Sequence, residues 1–167
     1  MPSSVVTLNV NGRAQEFLAR PGTTLLDALR ESLSLTAAKK GCAQGTCGTC
    51  TVLLEGKPVF ACLVPVETVA GAKIETLEGL ADGDALHPLQ EGFIELFATQ
   101  CGFCSSGIIM AAKGLLARNP NPSRAEVVRA ISGNVCRCTG YEAIIDAILA
   151  AAAKMKKAAP ARKRAAE

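Results

Sequence analysis

Eight cysteines in two groups of four constrain this 167-residue chain more than any other feature of its sequence. Cys136 and Cys138 are separated only by Arg137, a spacing at which the geometry of a disulfide between them is unfavourable. Each of them must therefore either pair elsewhere or bind a group that both share. The first group comprises Cys42, Cys47, Cys50 and Cys62, and the second comprises Cys101, Cys104, Cys136 and Cys138.

Clustered thiols of this kind indicate metal binding rather than disulfides. Four disulfides would need an oxidising compartment, and the N-terminal segment MPSSVVTLNV lacks the charged start and long apolar stretch of a secretory signal. No apolar run is long enough to span a membrane. We therefore expect a soluble, cytoplasmic protein whose cysteines bind metal.

The distribution of charge argues against nucleic-acid binding. The formal net charge of +3 comes from residues 151–167, because residues 1–150 hold 12 basic and 14 acidic side chains. The chain has no Trp and a single Tyr, too few aromatic side chains for a base-stacking surface. Hydrophobic residues make up 49% of the chain, which favours a packed globular core.

The hydrophobic pattern predicts an α+β fold in two parts. Residues 1–78 are expected to form a small α+β domain, in which strands flank the hairpin dipeptide Asn11-Gly12 and a helix follows from Thr23 or Thr24. The second part, residues 79–153, is predicted to form four helices.

The last two predicted helices begin at sequences that fit capping boxes, Ser123 to Glu126 and Thr139 to Glu142. The Ala/Lys/Arg-rich residues 154–167 show no apolar face and are expected to be a flexible tail.

The first cysteine group has the C-x4-C-x2-C…C spacing of plant-type [2Fe–2S] sites. Gly41, Gly45 and Gly48 would let the backbone wrap closely, and Cys62 would supply the fourth thiolate from a strand. Zinc is the alternative, since C-x2-C also occurs in zinc sites. A long glycine-rich loop with one distant cysteine is less typical of zinc, so this group favours [2Fe–2S].

The second cysteine group does not by itself distinguish the two metals. Each of its pairs precedes a predicted helix, whose N-terminal N–H groups and dipole favour thiolates. Four thiolates without a nearby histidine suit zinc and [2Fe–2S] alike.

Taken together, the two groups form a specific pattern. The loop around residue 45, QCGFC at 100–104 and GNVCRCTGY at 133–141 resemble the small iron–sulfur subunit of the molybdenum hydroxylases, the family of xanthine dehydrogenase, aldehyde oxidoreductase and carbon monoxide dehydrogenase. The resemblance covers residues 5 to about 153. It implies an N-terminal plant-ferredoxin-like β-grasp domain and a C-terminal four-helix domain, each with one [2Fe–2S] cluster.

The resemblance also implies a role in electron transfer, with no catalytic residue on this chain. Electrons would pass from a molybdopterin (dinucleotide) cofactor in a large subunit, through both clusters, to FAD in a medium subunit or to another acceptor. Gln100 would contact the pterin, and Cys138 would be the cluster ligand nearest to it. The implied ligands are Cys42, Cys47, Cys50 and Cys62 for the first cluster, and Cys101, Cys104, Cys136 and Cys138 for the second.

Two positions depart from the family pattern without removing a ligand. Ser105-Ser106-Gly107 stands where Thr-Pro-Gly is common, and Gln44 stands where an acidic or other polar residue is often seen. Two other functions remain open from the residues alone. The chain could be a zinc-stapled binding module, or a freestanding ferredoxin that shuttles between enzymes.

Overall fold

The protein has the expected α+β architecture, and a computed structural model describes its residues 3–158. A five-stranded mixed sheet has the strand order β2-β1-β5-β3-β4. Strand β1 pairs antiparallel with β2 and parallel with β5, and β3 pairs antiparallel with both β5 and β4. The strands are β1 (Ser4–Val10), β2 (Arg13–Ala19), β3 (Thr51–Leu54), β4 (Lys57–Phe60) and β5 (Lys73–Glu75).

Alternating burial along β1 fixes which face of the sheet meets the core. Val6, Leu8 and Val10 are buried while the residues between them are exposed. Asn11 and Gly12 have φ values of 52° and 78°, as a two-residue hairpin turn requires, so the predicted hairpin is confirmed.

A short helix covers the buried face of the sheet. Helix α1 (Leu25–Asp27) begins at Thr24, whose hydroxyl accepts a hydrogen bond from the Asp27 N–H at 3.1 Å. It continues as a π-helical segment, Ala28–Ser32. The first core is built between this segment and the sheet, from buried side chains that include Leu8, Leu25, Leu29, Val52 and Ile74.

Four helices form the second part, as predicted. Helices α3 and α5 supply most of its buried core, and α3 also contacts β3 and β4. The helical part therefore rests directly against the sheet. Within residues 3–158, no helix combines the length and apolar character needed to cross a membrane. The helices are α2 (Pro88–Glu95), α3 (Ser105–Arg118), α4 (Arg124–Ile131) and α5 (Glu142–Ala158).

One of the two predicted capping boxes is present and the other is not. The Ser123 side chain caps α4 and Glu126 bonds back to it, as expected. The prediction for Thr139 was wrong, because Tyr141 adopts a left-handed φ of 72° and α5 begins only at Glu142. The hydroxyl of Thr139 is therefore not used to cap this helix.

Two smaller expectations also need correction. Cys62 lies in a 3₁₀ turn, Ala61–Leu63, directly after β4 rather than within a strand. Residues 154–158 of the expected tail belong to α5, where Lys154 forms an ion pair with Glu91 at 2.5 Å and Met155 packs against the helical core. The rest of the expected tail, 159–167, lies outside the described residues.

Candidate metal centres

The first centre is built by the loop of residues 41–50 and by Cys62. Cys50 and Cys62 are buried, whereas Cys42 and Cys47 are partly exposed. The backbone N–H groups of Gln44 and Thr46 donate to the Cys42 sulfur at 3.5 and 3.3 Å. The loop thus encloses the sulfurs with backbone donors, which stabilise thiolates.

In the first centre the Cys42 thiol interacts with that of Cys47, and the Cys50 thiol interacts with those of both Cys62 and Cys47. A hydrogen bond from the Thr46 side chain, followed by that from the Gln44 N–H, lowers the pKa of Cys42 to about 5. Burial raises the pKa of Cys50 to about 11, although a hydrogen bond from the Cys62 N–H acts in the opposite direction. These interactions bring the three sulfurs of the loop together with that of Cys62, which follows β4.

In the second centre, too, the cysteine sulfurs neighbour one another. The sulfurs of Cys101 and Cys138 are 3.6 Å apart, and both residues are exposed. Cys104 interacts with Cys136, and burial raises the pKa of Cys104 to about 12. Cys104 also immediately precedes α3, where the N-terminal end of a helix favours a thiolate.

Cys136 differs from its partner thiol because it receives hydrogen bonds. Burial alone would raise the pKa of Cys136, but bonds from the Thr139 side chain and N–H bring it below its ordinary value. The hydroxyl of Thr139 lies 3.1 Å from the Cys136 sulfur. This contact takes the place of the helix cap that the sequence had predicted for Thr139.

Tyr141 braces the chain segment that carries Cys136. Its hydroxyl accepts a hydrogen bond from the Cys136 N–H at 2.7 Å and donates one to the Asn134 carbonyl at 3.2 Å. The left-handed backbone at Tyr141 turns the ring back over the segment. Nothing in the sequence pattern indicated these hydrogen bonds of its hydroxyl.

The two centres are joined directly through the backbone and one buried side chain. The Val135 N–H donates to the carbonyl oxygen of Cys47 at 2.9 Å. Asn134, only 3% exposed, donates to the Gly48 carbonyl at 2.8 Å and to the Thr51 hydroxyl at 3.1 Å. The quoted motif GNVCRCTGY contained this asparagine, but nothing in the sequence alone indicated its distant partner.

Two glycines allow this close approach. A Cβ atom on Gly107 of α3 would lie 2.4 Å from the Gly48 carbonyl oxygen, and one on Gly48 would lie 2.4 Å from the Gly133 carbonyl oxygen. Among the loop glycines Gly41, Gly45 and Gly48, it is Gly41 that lies beside a ligand sulfur. A Cβ atom on Gly41 would lie 3.0 Å from the sulfur of Cys47. Gly48 instead serves the contact with the helical part.

The exposed side of the second centre is apolar. Phe97 is 85% exposed, Val135 52% and Phe103 46%, and Gln100 is exposed next to Cys101. A groove of about 220 Å³ lies here, and its lining includes sulfur-bearing side chains of both centres. Its lining comprises Gly41, Cys47, Thr49, Cys101, Phe103, Cys104, Val135, Arg137 and Cys138.

The thiols fit a two-iron cluster at each centre. The four cysteine sulfurs of each centre neighbour one another, and a [2Fe–2S] cluster held by four cysteines takes two thiolates on each iron. Among residues 3–158, no group of three or more His, Cys, Asp or Glu side chains is placed to hold a single metal ion. The donor set at each centre, four cysteine sulfurs, fits a two-iron cluster.

Comparison with known proteins gives two domain matches and many relatives of similar length. Residues 8–79 match a 2Fe-2S iron-sulfur cluster binding domain, and residues 76–149 match a [2Fe-2S] binding domain. The nicotine 6-hydroxylase small subunit of Paenarthrobacter nicotinovorans is 46% identical over 86% of this chain and 87% of its own. The nicotinate dehydrogenase small FeS subunit of Eubacterium barkeri is 44% identical over 89% and 94%.

Solved structures agree with these matches. A chain of quinoline 2-oxidoreductase from Pseudomonas putida 86 superposes with a TM-score of 0.90 at 45% identity, covering 94% of this chain and 98% of that one. The aldehyde oxidoreductase from Desulfovibrio desulfuricans gives a TM-score of 0.89 at 46% identity. This chain covers only 17% of that protein, so in the aldehyde oxidoreductase the equivalent region is one part of a longer polypeptide.

Proposed function

The chain belongs to the small iron–sulfur subunits of the molybdenum hydroxylases, and from this premise we propose that its eight cysteines bind two [2Fe–2S] clusters. It is an electron-transfer subunit of a molybdenum-containing oxidoreductase, without substrate chemistry of its own. The grouping of the eight cysteines into two sets of four, with the sulfurs of Cys101 and Cys138 in contact across 37 positions of sequence, carries the ligand assignment. A bound cluster would supply reversible one-electron chemistry at each centre.

The four pairs would each hold one iron. In the first centre these are Cys42 with Cys47 and Cys50 with Cys62. In the second centre they are Cys101 with Cys138 and Cys104 with Cys136. The division into a cluster domain at 1–78 and another at 79–153 follows from the same assignment.

Electrons would reach this subunit at its exposed second centre, from a large molybdopterin-binding subunit. Cys138 is exposed and would be the ligand nearest the pterin, with the exposed Gln100 in reach of the same partner. The exposed apolar side chains of Phe103, which lines the same groove as Cys138, and of Phe97, four residues before Cys101, favour burial in a permanent interface.

From the second centre, the chain offers a short route to the first. Val135 precedes the ligand Cys136, and its N–H donates directly to the carbonyl of the ligand Cys47. Cys136 and Cys47, one ligand of each centre, are thus linked through Val135 by one hydrogen bond and a few covalent bonds. Electrons would leave from the first centre to FAD in a medium subunit or to another acceptor.

We place the complex in the cytoplasm because all eight cysteines are free thiols that the proposal uses as ligands. A reducing compartment keeps such thiols available for metal. Fractionation of the native cells, followed by detection of the chain with an antibody, tests this location.

One purification separates the proposed function from both alternatives. The chain is isolated from its native cells, and its iron, sulfide, zinc and molybdenum contents and its visible spectrum are measured. We expect a coloured complex with larger subunits that contains molybdenum, with iron and sulfide in equal amounts and two distinct electron paramagnetic resonance signals after reduction. A colourless protein with bound zinc would mean a zinc-stapled module, and a coloured chain that elutes alone would mean a freestanding ferredoxin.

A further inference from the structure

The hydroxyl of Thr139 is aimed at a ligand of the second centre. Its oxygen lies 3.1 Å from the Cys136 sulfur and accepts a hydrogen bond from the Tyr141 N–H at 3.2 Å. A cysteine that binds metal does so as a thiolate and has no proton to donate. The hydroxyl proton must then point from Thr139 to the sulfur.

The local backbone holds Thr139 in this position. The hydroxyl of Tyr141 is fixed between the Asn134 carbonyl and the Cys136 N–H, and α5 begins only at Glu142. Because Thr139 is not the cap of that helix, its hydroxyl is free to face the sulfur. The N–H of Tyr141 occupies a lone pair of the same oxygen and polarises the O–H bond towards the sulfur.

A second threonine provides a natural comparison at the first centre. The Thr49 hydroxyl lies 3.3 Å from the Cys47 sulfur, a similar distance, but it donates its proton to the Lys39 carbonyl at 3.1 Å. A hydroxyl has one proton, so this bond competes with any bond to the sulfur. The two hydroxyls therefore lie at similar distances from a ligand sulfur. The Thr49 proton goes to a carbonyl oxygen, whereas the Thr139 proton goes to the sulfur.

We propose that Thr139 is a positioning residue that raises the reduction potential of the second centre through its hydrogen bond to Cys136. The inference rests on the proposed function, in which Cys136 is a cluster ligand. On reduction, the centre takes one electron from the molybdenum subunit, or from dithionite in a titration, and gains one negative charge without making or breaking a bond. A donor to a ligand sulfur stabilises that added charge, so the reduced form becomes easier to reach.

The potential of the second centre affects the direction in which electrons move through the complex. A higher potential at the second centre favours the arrival of electrons from the molybdenum subunit at Cys138. The same residue would also determine how readily the electron moves on to the first centre. The effect depends on a single side chain, that of Thr139.

The test is a redox titration of the intact purified complex, with each centre followed by its own electron paramagnetic resonance signal. Thr139→Val removes the donor and keeps the side-chain shape, Thr139→Ser restores the donor, and Thr49→Val is the matched control. At the potential where the wild-type second centre is half reduced, Thr139→Val should lower its reduced-to-oxidised ratio several-fold, up to about tenfold, or about 59 mV for one electron. Thr139→Ser should retain the wild-type ratio, and Thr49→Val should change the ratio of the first centre less than about twofold.

Each other outcome has a distinct meaning. An unchanged potential in Thr139→Val, or an equal shift of the first centre in Thr49→Val, would overturn the inference. If Thr139→Val fails to load the second centre, Thr139→Ala is titrated instead; a wild-type potential, or loss of the centre in this variant too, would show a structural role and also overturn it. Absence of a second iron–sulfur signal in the wild-type protein would instead contradict the proposed function.

Discussion

The backbone N–H of Val135 donates a hydrogen bond to the carbonyl oxygen of Cys47 at 2.9 Å, although the two residues belong to different halves of the fold. Each lies in a cysteine-bearing loop, and the bond joins these loops without any intervening side chain. Asn134, the residue before Val135, adds one side-chain bond to the same loop, at Gly48, and one to Thr51 at the start of β3. The geometry between the two centres is therefore fixed by the loops that carry the ligands themselves.

Substitution of Asn134 should loosen this junction. Asn134→Ala removes the donor to the buried Gly48 carbonyl and should lower the free energy of unfolding by about 1–3 kcal/mol. Asn134→Asp should cost more, because a buried carboxylate would face that carbonyl oxygen without a donor of its own. Urea unfolding of the cluster-loaded protein measures both effects. Val135→Ala keeps the backbone N–H and should change little; if it destabilises as much as Asn134→Ala, the side-chain bonds of Asn134 are not the cause.

Cys138→Ser should interrupt electron transfer from the molybdenum subunit. The substitution removes one of the paired thiolates of the second centre and leaves the ligands of the first centre unchanged. We expect the electron paramagnetic resonance signal of the first centre to persist while reduction by substrate is lost. Cys42→Ser is the reciprocal control and should remove only the signal of the first centre. Loss of both signals in either variant would show that the two centres do not assemble independently.

Phe97→Ser should weaken assembly with the large subunit and leave this chain folded. Phe97, four residues before the ligand Cys101 in sequence, is 85% exposed, so its truncation removes little packing within the chain. If a partner covers it, the loss should weaken the complex by at least about tenfold, which is typical of a buried aromatic anchor. Leu18→Ser, at a 69% exposed position on β2, is the matched control. Equal affinities of both variants, measured by sedimentation of mixed subunits, would exclude Phe97 from the interface.

His87 caps the N-terminal end of α2, and this cap should make the free energy of unfolding depend on pH. His87 Nδ1 accepts a hydrogen bond from the Leu89 N–H at 3.2 Å, and burial, followed by the charge of Lys113, lowers the pKa of this imidazole below 6.5. The unfolded histidine therefore binds a proton more readily than the folded one, so stability is fully present above pH 6.5 and falls as the pH drops through the lowered pKa. Glu91 opposes this shift without reversing it.

The measurement is the free energy of unfolding as a function of pH at constant ionic strength. His87→Asn keeps a cap that does not titrate and should flatten the dependence below pH 6.5. If the wild type and His87→Asn lose stability in parallel across that range, another group is responsible.

The cysteine motifs, read together, predicted the family and the use of two centres, and the hydrophobic pattern predicted the α+β fold. Ligand spacing is a local property of the chain, and a loop such as 41–50 must fold round its metal wherever it occurs. The helices were predictable for the same reason, since apolar periodicity and the Ser123 cap are encoded within a few residues.

Contacts between distant segments were not predictable. Asn134 meets Gly48 across 86 positions of sequence, and its polar side chain carried no signal of burial. The predicted cap at Thr139 failed because Tyr141 adopts a left-handed backbone, stabilised by bonds of its hydroxyl that the sequence pattern does not show. Tertiary hydrogen bonds here outweighed the local capping preference.

The close approach of Gly107 to Gly48 bears on how such chains can be recombined. No Cβ fits at either position, so the backbones of the two halves are in direct contact and leave no room for a side chain there. A β-grasp half from one relative joined to a helical half from another would seat correctly only if both glycines and Asn134 were kept. The smallest interchangeable module is therefore the pair of halves, even though each half carries a complete ligand set of its own.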